Sequence, residues 1–130
     1  MNAELKELSS TEVECPLEQF VPETPDFFEV TITALIGPAN EDGAELFRFE
    51  VCTPKWLQAR CDQGEIVQGR HTLVVGEFNF AKIRTYLIEI CKICSGDNWD
   101  EVSLKLSRFG YWEFEDYQPY AEEPSSAPAA

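Results

Sequence analysis

From Phe27 to Ile36 the chain alternates, with Phe28, Val30, Ile32, Ala34 and Ile36 at every second position and Glu29, Thr31 and Thr33 opposite. A helix cannot use such a pattern, because its faces repeat every 3.6 residues, whereas a strand with one buried face requires it. Gly37-Pro38 ends the run. The loop Gly-Pro-Ala-Asn-Glu-Asp-Gly then leads into Glu45–Cys52, where Phe47, Phe49 and Val51 alternate with Arg48 and Glu50. Two alternating runs joined by a glycine-containing loop predict an antiparallel pair. A chain that holds this pair must also supply a layer to cover its apolar side.

That layer is predicted downstream. Thr53-Pro54 places a hydroxyl at an N-cap and proline at the first helical position, so a short helix is expected over residues 54–60, carrying Trp56 and Leu57. His71–Phe78 reads as a strand that is apolar on both faces at Leu73, Val74 and Val75, which predicts a central position in the sheet. Asn79 is placed to cap a long helix with Phe80, Ile83, Leu87, Ile90 and Cys94 at helical spacing, widened by Tyr86 and Ile93 and stopped by Gly96. Asp97 is expected to cap a second helix bearing Trp99, Val102, Leu106 and Phe109, with Asp100 and Glu101 near its positive end and Gly110 after it. A loop of about four residues predicts that these two helices pack as an antiparallel pair. Tyr111–Tyr117 alternates again as a last strand, with Trp112 and Phe114 on its core side. Residues 9–29 hold six acidic residues, no base and three prolines, and read as an extended, solvent-facing lead-in. The expected fold is therefore a single α+β domain over residues 1–120. Its antiparallel sheet has a short helix after the second strand of the main hairpin, then the helix pair, then a final strand. Residues 121–130, rich in Pro, Ala and Ser, are expected to be a disordered tail.

Charge divides the function classes. Residues 1–50 carry twelve Asp/Glu against two Lys/Arg, residues 51–110 seven against eight, and residues 111–130 five against none, for a net charge of −14. With 44% hydrophobic residues this is not the composition of a disordered acidic chain. Phosphate contacts need clustered Lys/Arg, so nucleic acid is not the expected partner. The acidity suits a basic protein partner. The N-terminus has no basic-then-apolar leader, and no run approaches the roughly 18 apolar residues of a membrane helix, so neither export nor a membrane is expected. Five cysteines, an odd number, fit reduced thiols in the cytoplasm.

Little in the chain suggests catalysis. His71 is the only histidine and has no acidic neighbour close in sequence, and no phosphate-cradling glycine motif is present. Cys91-x-x-Cys94 has the spacing of a metal half-site, and Cys61 with His71 would have to complete it. The same two cysteines also continue the apolar stripe of the long helix, and core packing is the preferred reading. No cofactor or metal is expected. The most informative local segment is Tyr111-Trp-Glu-Phe-Glu-Asp-Tyr-Gln, in which aromatic residues alternate with carboxylates. Glu113, Glu115, Asp116 and Tyr117 read either as a recognition strand for Arg or Lys of a partner or as the soluble edge of the sheet. Glu41, Asp42 and Glu45 on the hairpin loop are the second candidate, since a loop tip can enter a cleft.

Several of these blocks occur together in one family. Ala34-Leu-Ile-Gly-Pro38, Phe47-x-Phe-x-Val-Cys-Thr-Pro-Lys-Trp-Leu57, Gly69-Arg-His71, Ser95-Gly-Asp-x-Trp99, Lys105-Leu-Ser-Arg108 and Trp112-Glu-Phe-Glu-Asp-Tyr-Gln118 resemble the Immunity protein 8 family of bacterial polymorphic toxin systems. The resemblance runs from about Ala3 to Tyr120. It implies a small cytoplasmic α+β protein, encoded beside a toxin, that binds the toxin domain of its own system and protects the producing cell. It carries over no catalytic residue and does not locate the toxin-contacting surface. An acidic cytosolic adaptor with no toxin partner is the alternative from the residues alone.

Overall fold

The computed structural model describes residues 1–115, and the expectations for Asp116, Tyr117 and the 121–130 tail lie outside them. Its centre is the expected hairpin. β2 (Glu29–Pro38) and β3 (Glu45–Cys52) pair antiparallel from Glu29↔Cys52 to Ile36↔Glu45. Val30, Ile32, Ala34 and Ile36 of β2 and Phe47, Phe49 and Val51 of β3 are buried on one face. The turn between them is held close: a Cβ on Gly37 would stand 2.1 Å from the Gly43 carbonyl oxygen, so only glycine fits there.

β1 (Ala3–Ser9) adds antiparallel to the other edge of β2 and is not among the strands expected from the sequence. Its inward residues Leu5 and Leu8 lie three apart because a register shift falls between Leu5 and Glu7, which erases the period of two. The segment that follows is also not simply solvent-facing. It forms a short 3-10 turn, Leu17–Gln19, that puts Leu17 into the core and is followed by a buried Pro22.

The hairpin's far edge carries two short strands. β4 (Thr72–Val74) runs parallel to Glu50–Cys52, and β5 (Tyr111–Trp112) runs antiparallel to Phe47–Arg48. The expected central strand over 71–78 is thus a three-residue edge strand, with Val74 53% exposed. Its apolar run does not reflect burial on two sides. The last strand is likewise shorter than expected. It turns at Glu113, leaving Phe114 37% exposed instead of in the core, edge-on to Trp112 at 5.8 Å.

The helices start where local chemistry dictates. α1 (Pro54–Asp62) begins with the Thr53 hydroxyl accepting from the Trp56 N–H. α2 (Phe80–Ile93) begins with the Asn79 side chain accepting from the Lys82 N–H. α3 (Trp99–Leu106) is capped by Asn98, one residue later than expected, and Glu101 reaches back to the Asp97 N–H. α2 lies against β1 and the 3-10 turn, and Ile83, Leu87, Ile90, Cys91 and Cys94 join Val102 and Leu106 of α3 in one core with the inward strand residues. Tyr86 and Ile93 do not widen that stripe: they are 51% and 67% exposed. No helix among the described residues is long and apolar enough to cross a membrane.

Candidate functional site

Of the described carboxylates singled out in the sequence, Glu45, Glu113 and Glu115 gather around β5 and the start of β3 and already bond within the fold. Glu45 opens β3 on the core side, opposite Ile36. Its Oε1 accepts from the indole N–H of Trp99 at 2.8 Å and from that of Trp112 at 2.9 Å, tying α3 and β5 to the hairpin. Glu113 continues the β5 ladder with its side chain: Oε2 accepts from the Leu46 N–H at 2.6 Å while its own N–H donates to the Leu46 carbonyl at 3.0 Å. Glu115 pairs with Arg70 at 2.7 Å, and its side chain is only 16% exposed. Glu41 and Asp42 are exposed at the loop tip, where the Lys6 ammonium donates to the Glu41 carbonyl.

The metal candidates do not meet. Cys61 is exposed, Cys91 and Cys94 are buried in the core, and among the described residues no three His, Cys, Asp or Glu side chains converge as ligands. Burial, reinforced by Cys94, pushes the Cys91 thiol up to about 12, and burial raises Cys94 as well. His71 has a structural task. It sits at φ 61, and its Nε2 lies 2.8 Å from the Ser107 carbonyl, which can only accept, so Nε2–H donates and ties the end of α3 to the start of β4.

Other carboxylates, not singled out in the sequence, stand on the sheet face turned away from the helices. Cross-strand partners share a face. Glu50 pairs with Thr31, Arg48 with Thr33 and Glu7 with Leu35, so these residues lie together with Glu29 on the side opposite the core. The alternation of Glu29, Thr31 and Thr33 is visible in the sequence as the polar side of a strand, but Glu7 joins them only through the pairing of β1. Burial, then Glu50, then Glu12 hold the Glu29 carboxyl above its ordinary value of 4.5.

No curated protein and no solved structure matches the chain. A family model described as Immunity protein 8 matches residues 3–117, which takes in all five strands and three helices described above. That span is most of the chain and takes in nearly all of the blocks on which the resemblance rests, so the chain belongs to the Immunity protein 8 family.

Proposed function

We propose that this protein is a cytoplasmic immunity protein, a single domain over residues 1–120 that binds and neutralises the toxin domain of its own polymorphic toxin system, the toxin being a basic enzyme such as a nuclease. The observation that carries the reading is the family match over residues 3–117. The net charge of −14 supports the basic partner, because complementary charge speeds encounter and rejects wrong partners. Inhibition is by occupancy. The lone histidine and the paired cysteines are engaged in packing and internal bonds, and no catalytic or cofactor role is assigned to them.

The test is co-expression with the toxin domain encoded immediately upstream, followed by co-purification. Survival of the host together with a stoichiometric complex is the expected result. A toxin that still kills and does not co-purify would overturn the reading and favour an acidic adaptor.

A further inference from the structure

α2 and α3 cover one face of the sheet, and most of the other is half-buried or exposed. On that open face Thr31, Thr33 and Leu35 of β2 and Leu46 of β3 are half-buried, while Glu50 of β3 and Glu4 and Glu7 of β1 are exposed. Cys52, just before the turn into α1, is the exception and is buried. An apolar and hydroxylic middle with a charged rim is the composition of a protein interface rather than of an ordinary solvated sheet.

The distribution of ion pairs says what would cover it. Salt bridges among the described residues join Lys55 to Asp26, Arg60 to Glu65, Arg70 to Glu115 and Lys92 to Glu89, and none of them neutralises Glu4, Glu7, Glu29 or Glu50. Arg48, on this face, lies over the Tyr111 ring at 5.3 Å, at the β5 border. Glu29 and Glu50 therefore crowd like charge that Arg60, itself paired with Glu65, only partly offsets, and Lys or Arg from a partner would relieve it. A phosphate backbone or an anionic lipid surface would add to the repulsion.

The rival surface is the open groove of about 1210 Å³ between β4 and α2, lined by Val74, Tyr86, Lys82, Glu77 and Glu89. There Glu89 is already paired with Lys92, and Lys82 lines the groove beside Glu77, so the groove is less acidic than the sheet face.

We infer that the open face of β1, β2 and β3, with Glu4, Glu7, Glu29 and Glu50 as its carboxylates, is the surface that receives a Lys/Arg-rich face of the toxin. This rests on the neutralisation reading above and adds the location. The Glu113–Glu115 turn then serves the fold and not the contact.

Two double reversals of equal charge separate the outcomes. The full chain and its variants are measured against the upstream-encoded toxin domain, inactivated in its active site, by association kinetics at low salt. Glu7→Lys with Glu50→Lys is expected to slow association on the order of tenfold. Glu77→Lys with Glu89→Lys on the groove is expected to change it less than about threefold. Thermal melting checks that each variant is folded. If the lysine pair on the sheet does not fold, Glu7→Gln with Glu50→Gln replaces it, with a smaller expected slowing of about threefold. A sheet pair that associates at the parental rate, or a groove pair that slows as much, overturns the location and leaves neutralisation standing. Absence of any complex with the unaltered chain overturns both.

Discussion

Replacing Glu45 by alanine removes one oxygen that serves two indoles. Trp99 lies 54 residues away on α3 and Trp112 lies 67 residues away on β5, so the carboxylate closes two long loops at once. A hydrogen bond to a charged group contributes about 1.5–3 kcal/mol, and because the two N–H groups share one acceptor the loss is expected at about 2–4 kcal/mol. For a domain of this size that is a drop of roughly 8–16 °C in melting temperature. Glu45→Gln keeps an accepting oxygen without the charge and is expected to lose only about 1 kcal/mol. Thermal and urea unfolding followed by tryptophan fluorescence measures both variants, and a cycle with Trp112→Phe isolates the shared bond. An alanine variant that melts within about 2 °C of the parent, or effects of Glu45→Ala and Trp112→Phe that simply add, would refute the staple. Weakened toxin binding by Glu45→Ala would then have to be judged against its folded fraction.

Three further outcomes are expected. Gly110→Ala puts a Cβ 2.5 Å from Cζ of Phe49, a ring that is fully enclosed and cannot swing away, so urea unfolding is expected to show a loss of about 2–3 kcal/mol. A thiol reagent at about pH 8 is expected to label Cys15 and Cys61 in the native protein and Cys52, Cys91 and Cys94 only after unfolding. With Cys91 near 12 its thiolate fraction is on the order of 10⁻⁴, and quick native labelling at Cys91 would contradict the core assignment. Glu29 keeps its proton to higher pH in the native state than in the unfolded chain, so stability falls as pH rises from 4.5 through its native value. Glu29→Gln is therefore expected to melt higher than the parent at about pH 7, by less than about 1 kcal/mol for a group that is only half-buried, with the difference closing below about pH 4.

What the sequence disclosed of this fold was whatever is encoded within one element. The β2 and β3 alternations, the Thr53-Pro54 start and the Asn79 cap are local patterns, and each element formed within two residues of its pattern's ends. What it concealed depends on partners far along the chain. β1 has only Leu5 and Leu8 to show, and its register shift separates them by three, the spacing of a helix. His71–Phe78 looks central by composition, yet only Thr72–Val74 pair, because the far edge of β3 is shared with β5. The alternation after Tyr111 was real, but at Glu113 the side-chain Oε2 accepts the Leu46 N–H that the Glu113 carbonyl would have taken in a continued ladder, and the chain turns.

The same distinction divides the acidic residues, which in sequence are indistinguishable. Glu45 becomes a staple because two indoles reach it, Glu113 because a backbone N–H lacks a strand partner, and Glu115 because Arg70 precedes β4. Each of these gains a donor that folding itself supplies, for Glu115 at Oε2 alone, since its Oε1 is buried without a hydrogen-bond partner among the described residues. Glu4, Glu7, Glu29 and Glu50 enter none of the salt bridges of the described residues, and burial, together with Glu50 and Glu12, disfavours the charge of Glu29 more than Arg60 favours it. A carboxylate that folding satisfies can be explained by stability. One kept in a crowd at some expense to stability calls for a different explanation, and an interface that supplies the missing cations is the one the open sheet face can provide.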